Sequence, residues 1–326
     1  MSEIVAVDIG GTNARFSIAT IGDDDGKVTL GDVVTLHTGA YASLRTAWAA
    51  FAERAGRPLP RAAAISFAGP VDGDVLKLTN SPWVLRPAML DGELGLDRHL
   101  IVNDFGAVAH AVGHVGEEDL RHLCGPEVPL GETGTISIVG PGTGLGVAQI
   151  HRRDGRTLVI ETEGGHIEFA PLDGIEDQIL LRLRAQFRRV SIERLVSGPG
   201  LANIHTALAA IEGRAVAAED DIALWTKALA GEDVLAAAAL ERFCLTLGSV
   251  AGDLALAHGA WAGTVIAGGV GMRIADHLPR SGFASRYTAK GRFEARMATI
   301  PVKLITHPQP GLLGAAVAFV ERYGKG

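Results

Sequence analysis

Apolar and polar residues alternate with a period of two along Arg15-Phe16-Ser17-Ile18-Ala19, the signature of a strand with one buried face. A short apolar run, Ile4-Val5-Ala6-Val7, precedes it, and Asp8-Ile9-Gly10-Gly11-Thr12-Asn13 joins the two as a hairpin. The same arrangement returns in the second half. Ile136-Ser137-Ile138-Val139 leads into Gly140-Pro141-Gly142-Thr143-Gly144-Leu145-Gly146, and Val147-Ala148-Gln149-Ile150 leaves it. Further strands are expected at Val28–Leu36, Ala62–Phe67, Leu100–Asn103, Thr157–Glu161, Ser191–Val196, Thr264–Ala267 and Val302–Thr306. Helices are expected at Ala42–Arg54, Phe105–Ala111, Ile175–Phe187, Leu201–Ile211, Asp221–Leu229, Asp233–Ala257 and Gly311–Tyr323. In the third of these, Ile175, Ile179, Leu183 and Phe187 recur at i+4 and form one apolar stripe.

Each half therefore opens on a hairpin and continues with alternating helix and strand, without any period in the sequence itself. The reading is α/β, with two units facing each other across a cleft and ligands where strand ends and turns converge. The expected division is a small domain of residues 1–112 plus 308–326 and a larger domain of 113–307 with added helices. Short hinges near Ala109–Val115 and His307–Pro310 would join them, and the last helix would return to the N-terminal unit.

Composition narrows the class. The 326 residues are 47% hydrophobic, with mean hydropathy +0.22, as in a globular chain. The 42 glycines are nearly twice the usual share, which fits many tight turns. A net charge of −7 argues against a nucleic-acid surface, which needs a basic face. Cys124 and Cys244 are too few for a disulfide framework and lack zinc spacing, so buried reduced thiols are expected. The chain enters a strand directly after Met1-Ser2-Glu3, with no basic n-region. The apolar stretch Leu254–Met272 carries His258 and repeated glycines, and reads as a helix end plus a buried strand, not a membrane span. The expected location is the cytoplasm, and oligomer base rates point to a homodimer.

Glycine and small hydroxyl residues let several backbone N–H groups converge on one anion, so two such hairpin turns suggest a clamp on a polyphosphate. Neither is a P-loop: G-x-x-x-x-G-K-[ST] is absent, and a strand follows each turn where that motif has a helix. Asn103-Asp104 ends the run His99-Leu100-Ile101-Val102. There a carboxylate either faces the crevice as a general base or caps the next helix. Glu163-Gly164-Gly165-His166 is either a solvated turn or a pair of side chains aimed at one point. Glu193 either pairs with Arg194 or Arg189 or joins that set. Together Asn103, Asp104, Glu163, His166 and Glu193 suit a sugar, because a carboxylate matches two adjacent hydroxyls and Asn and His supply mixed donors and acceptors.

With both turns and this cluster in place, the chain resembles the bacterial glucokinases, in the hexokinase branch of the actin-like, sugar-kinase and heat-shock ATPase superfamily. The motifs that carry the resemblance run from Asp8-Ile-Gly-Gly-Thr-Asn-Ala-Arg15 to Pro310-Gly-Leu-Leu-Gly314. Between them lie Leu78-Thr-Asn-Ser-Pro-Trp83, Asn103-Asp-Phe-Gly106, Gly140–Gly146, Glu163-Gly-Gly-His166, Glu193-Arg-Leu-Val-Ser-Gly-Pro-Gly200 and Ala267-Gly-Gly269. The resemblance implies two ribonuclease H-like (actin-like ATPase) domains and transfer of the ATP γ-phosphoryl group to the 6-hydroxyl of D-glucose. It makes Asp8, Gly10, Gly11, Thr12 and Asn13 the first phosphate loop, with Asp8 near Mg²⁺ through water. Gly142, Thr143 and Gly144 become the second phosphate loop, and Gly268 and Gly269 the adenosine-side loop. Asp104 falls on the catalytic base, and Asn103, Glu163, His166 and Glu193 on sugar ligands. Thr79 and Asn80 sit in a loop facing the sugar. The expected partners are glucose and MgATP, with no nucleic acid and no membrane, and sugar-driven closure would keep water from the phosphoryl group. Competing readings are a kinase for another hexose or an amino sugar, a non-catalytic sugar sensor, and a filament-forming ATPase.

Overall fold

The computed structural model describes residues 2–23, 26–78, 81, 83–216 and 219–324. The chain divides into two compact units, residues 1–116 with 307–326, and residues 117–306.

The first unit contains β1 (Ser2–Ile9), β2 (Asn13–Ile21), β3 (Val28–Leu30), β4 (Val34–His37), α1 (Leu44–Ala55) and β5 (Ala62–Phe67). It continues with β6 (Leu76–Lys77), β7 (Val84–Leu85), α2 (Pro87–Leu94), β8 (Arg98–Asn103) and α3 (Asp104–His114). Its main sheet has the order β3-β2-β1-β5-β8, with β4 also on β2. The hairpin strands are antiparallel, whereas β1, β5 and β8 run parallel. Val5, Val7 and Ile9 turn to one face, where Phe16 stacks on Phe51 of α1 at 5.2 Å between ring centroids. Ile4 and Ala6 are buried too, which is why this strand reads as a continuous apolar run. β2 alternates in sequence, but its Ser17 is also fully buried and Ile18 only partly, so its pattern does not leave one face in solvent.

The second unit contains β9 (Leu120–Cys124), β10 (Gly134–Pro141), β11 (Leu145–Arg153), β12 (Arg156–Thr162), α4 (Gly174–Phe187) and α5 (Gly200–Ile211). It goes on through α6 (Asp221–Ala230), α7 (Val234–His258), β13 (Gly263–Ile266), α8 (Gly268–Arg273), α9 (Phe283–Thr288), α10 (Glu294–Met297) and β14 (Val302–Ile305). The sheet order is β12-β11-β10-β13-β14-β9. α7 is long and apolar enough to cross a membrane, but most of that stretch is buried in the unit's core, against α5, α6 and α9. Finally α11 (Pro310–Tyr323) packs on β1, β5 and α3 of the first unit. Backbone meets backbone there: a Cβ at Gly314 would overlap the carbonyl of Ala107.

Five local expectations need correction. The strand expected over Val28–Leu36 is two short ones, β3 and β4, which pair with opposite ends of β2 and step apart at Gly31. Ser191–Val196 is not a strand; Ile192–Arg194 is a 3-10 turn closed by Arg194 N–H on Ser191 O and Leu195 N–H on Ile192 O. The Gly198-Pro199-Gly200 run then starts α5, leaving one bridge, Glu168 to Ser191, in place of a ladder. In α4 the buried face is Glu176, Ile179, Leu180 and Leu183, while Ile175 is 45% exposed. Successive i+4 positions drift by about 40° around a helix, so that stripe wanders off the core. The buried Glu176 carboxylate is held by Arg242 and Arg286. α3 also runs through His114, across most of the segment read as a hinge. Cys244 is buried, but Cys124 only partly, and burial pushes both thiols up to about 12.

Candidate active site

In the first unit, parallel register aligns Ile9 with Phe67 and Phe67 with Asn103. The Gly10–Asn13 turn and the start of α3 therefore leave the sheet at the same edge, about 10 Å apart for strands two positions removed. Gly10 N–H donates to Asn13 O at 2.9 Å. The turn's carbonyls are drawn back into the protein: Thr38 donates its N–H to Thr12 O at 2.9 Å and its Oγ1 hydroxyl to Gly11 O at 2.8 Å. The N–H groups of Gly11 and Thr12 have no hydrogen-bond partner among the described residues. That geometry offers donors to an anion.

Asp8 sits one residue before the end of β1, with its carboxylate held on three sides. Ser66 Oγ, fully buried on β5, donates to Oδ1 at 2.8 Å, and Arg15 donates to Oδ2 at 3.1 Å. Gly311, in the first turn of α11, lies so close that a Cβ would stand 2.9 Å from Oδ1. At the other strand end the helix cap is Asn103, not Asp104. Asn103 Oδ1 accepts from Phe105 N–H at 2.9 Å and Gly106 N–H at 3.1 Å, and its Nδ2 donates to Gly69 O. With Asn103 as cap, Asp104 occupies the first helical position, its Oδ1 accepting from Phe105 N–H at 2.9 Å.

In the second unit the turn at Gly142–Gly144 repeats the arrangement with other braces. Gly142 N–H donates to Gly144 O at 2.8 Å, and Gly142 O accepts from Gly198 N–H at 2.7 Å. The N–H groups of Thr143 and Gly144 again lack a partner among the described residues. Glu193 Oε2 accepts from Leu145 N–H at 2.9 Å and lies under Gly144, where a Cβ would stand 2.5 Å from it. Gly268, with φ +80°, lets the chain pass against Pro141 O at the start of the turn. Gly269 is exposed with open space at its Cβ position. Glu163 precedes and His166 closes the 3-10 turn Gly164–His166 beyond β12, with Glu163 Oε2 and His166 Nε2 3.9 Å apart and both side chains exposed. Gly165 packs on the Leu145 carbonyl so closely that any Cβ would overlap it.

Structure thus gathers Asp8, Gly10–Asn13, Asn103 and Asp104 at one sheet edge of the first unit. In the second it sets Glu193 and the Glu163–His166 turn against Leu145 beside Gly142–Gly144, with Gly268 against Pro141 at the start of that turn and Gly269 next to it. Glu193 pairs with neither Arg194 nor Arg189, the latter bonding Glu168 and the His166 carbonyl. Asn80 and Thr79 lie outside the described residues. Sequence reading missed Ser66, Thr38 and Gly311, whose partners are remote in the chain, and gave no role to Arg15. A cavity of the first unit, lined by Ser2, Ala62, Arg98 and Tyr323, opens at the opposite ends of β1, β5 and β8 and holds none of these residues.

Three comparisons bear on this geometry. The family model described as Glucokinase matches residues 5–322. The glucokinase of Zymomonas mobilis is 63% identical over 324 residues, covering 99% of each chain. A crystal structure of glucokinase from an Antarctic psychrotroph superposes with TM-score 0.87 at 31% identity, covering 98% of this chain and 99% of that one. A ROK family glucokinase from Streptomyces griseus, solved with glucose and AMPPNP, shares the fold with TM-score 0.63 at 20% identity over the full length of both.

Proposed function

This chain belongs to the glucokinase family, and from that premise we propose how its own residues divide the work. It is an ATP-dependent hexose kinase that transfers the γ-phosphoryl group of ATP to the 6-hydroxyl of D-glucose, giving glucose 6-phosphate and ADP. One observation supports the division best: two hairpin turns in equivalent places, each with its carbonyls tied back and two N–H groups left to donate. Gly10, Gly11, Thr12 and Asn13 hold one part of the polyphosphate, and Gly142, Thr143 and Gly144 another. Gly268 and Gly269 form the adenosine side.

Asp104 is the general base. An alcohol is far less acidic than a carboxylic acid with a reference pKa near 3.9, so the carboxylate does not strip the hydroxyl early. In a loose phosphoryl-transfer transition state the proton leaves late, and Asp104 chiefly orients the hydroxyl before accepting it. Glu163, His166 and Glu193 hold the sugar's other hydroxyls. Asn103 fits a narrower role than its resemblance implies, because its Oδ1 already caps α3 and only Nδ2 has a donor left for a sugar oxygen. Asn80 belongs to this set on resemblance alone.

Mg²⁺ would come with the nucleotide. Among the described residues no three His, Cys, Asp or Glu side chains cluster as ligands, and the Asp8 carboxylate already accepts from Ser66 and Arg15. These residues fit an ion held mostly by phosphate oxygens and water, with Asp8 on a water. When bound, it would neutralise phosphate charge. A cytoplasmic location and a homodimer complete the reading. ADP release with MgATP, followed with glucose, fructose, mannose and no sugar, tests it: glucose should drive the fastest turnover, and release independent of sugar would sink it.

A further inference from the structure

We propose that Glu193 is a positioning residue for the second phosphate turn, so that one carboxylate ties sugar occupancy to nucleotide grip. The inference rests on the reading of Glu193 as a sugar ligand and extends it to the other substrate.

Two contacts converge on one backbone unit, that of Leu145, the residue immediately after the turn, and a third falls on Gly144 just before it. Its N–H donates to Glu193 Oε2 at 2.9 Å. Gly165, between the sugar-side residues Glu163 and His166, packs directly on its carbonyl. Gly144, just before it, has no Cβ, and the space a Cβ would need is filled by the same Glu193 oxygen at 2.5 Å. Gly144 is not in the left-handed region, so its backbone does not demand glycine; the carboxylate beneath it does.

The two sugar-side segments are also joined to each other and to the turn. Ile192 N–H donates to Ile167 O at 2.9 Å, Phe169 N–H to Val190 O at 3.0 Å, and Gly198 N–H to Gly142 O at 2.7 Å. A shift of the Ile192–Arg194 turn therefore moves the phosphate turn at both ends, through Glu193 at Leu145 and through Gly198 at Gly142.

Oε2 is committed to Leu145, and Oε1 has no donor among the described residues. A sugar hydroxyl donating to Oε1 would fix the carboxylate plane, and with it the direction in which Oε2 meets the Leu145 N–H. Binding energy of the sugar then favours the turn conformation that grips phosphate, and by reciprocity the nucleotide favours sugar binding equally.

The test uses calorimetric titration of AMPPNP with excess Mg²⁺, and separately of glucose, into wild type, Glu193→Gln, Glu193→Ala and Gly144→Ala. Without glucose, Glu193→Ala should bind AMPPNP ~10-fold more weakly, while Glu193→Gln, whose amide oxygen still accepts from Leu145, stays within ~3-fold of wild type. Gly144→Ala, which displaces the carboxylate, should follow Glu193→Ala, and keeps the test open should that variant not fold. Glucose should tighten AMPPNP in wild type and no longer do so in Glu193→Ala. Wild-type AMPPNP affinity in Glu193→Ala and Gly144→Ala overturns the positioning role even if glucose affinity collapses. Unchanged glucose affinity in both Glu193 variants instead overturns the sugar-ligand reading, whatever the nucleotide does.

Discussion

The two sheets are built to one plan. In each, a hairpin and a third strand are followed by two parallel strands, giving β3-β2-β1-β5-β8 in the first unit and β12-β11-β10-β13-β14 in the second, with β9 added beyond. In each, the hairpin turn emerges at the edge where the parallel strands end. The differences lie in what the ends carry. In the first unit β8 ends on Asn103 and is followed by Asp104, whereas its counterpart β14 ends on Ile305 and is followed by Thr306. The first turn is braced by a hydroxyl and an amide of Thr38; the second by the carboxylate of Glu193 and the amide of Gly198. Duplicate topology thus supports unlike chemistry, because a fold fixes where strand ends point and leaves the side chains there free to differ.

The largest expected effect falls on the asymmetry at the fifth strand. Asp104→Ala should lower kcat by at least ~10²-fold with glucose affinity largely kept. Thr306→Ala, at the equivalent position just past β14, should leave kcat within ~2-fold. Steady-state kinetics of the pair decide the matter, and comparable losses would erase the distinction between the ends.

Next in size are the turns' glycines. Gly142 lies outside the left-handed region and has open space where a Cβ would stand, so no contact within the protein demands glycine there. Gly142→Ala should raise the KM for ATP by ~10-fold, about 1.4 kcal/mol, with Tm nearly unchanged. Gly165→Ala, overlapping Leu145 O, should instead lower Tm. A large Tm loss in the first variant would mean that its glycine serves the fold.

Smaller still is the brace on the first turn. Thr38→Val removes the Oγ1 bond to Gly11 O and leaves the Thr38 N–H bond intact. A loss of about 1 kcal/mol, or ~5-fold in ATP affinity, is expected. Equal affinity in the variant would show that one bond suffices to hold that turn.

The least effect is on stability alone. His258, at the end of α7, shares a 2.9 Å hydrogen bond with the fully buried Ser137 of β10, and burial holds its pKa below the usual 6.5. The unfolded chain takes up the proton first, so this contribution is whole above pH 6.5 and wanes as pH falls below it toward the depressed folded value. Thermal melts should show Tm dropping less steeply below pH 6.5 in His258→Asn than in wild type. Parallel pH profiles would remove His258 from the account.

What could be read in the chain beforehand was whatever has a short period or a local signature. The β2 alternation, the apolar run of β1, both glycine turns and the position of Asp104 at a strand end all fall in that class. Contacts between residues distant in sequence did not: Ser66 on Asp8, Gly311 against the same carboxylate, and Glu193 on Leu145 depend on the finished sheet order. The choice of Asn103 over Asp104 as helix cap was also out of reach, since both residue types cap well. Ser191–Val196 misled because β-branched and apolar residues there serve a 3-10 turn packed in the core. The short elements β6, β7, β9, α2 and α8–α10 escaped notice because two to eight residues hold too little pattern to separate them from loop.

The contact of Gly314 with Ala107 bears on how the protein is made. α11 is translated after both sheets, yet it lies on β1 and β5 and its opening turn walls in Asp8. Domains ordinarily assemble in the order of translation. Here the later unit, contiguous from 117 to 306, is complete while the earlier one still lacks α11, and a nascent chain stalled short of Pro310 carries Asp8 and the Gly10–Asn13 turn without the wall that Gly311 supplies.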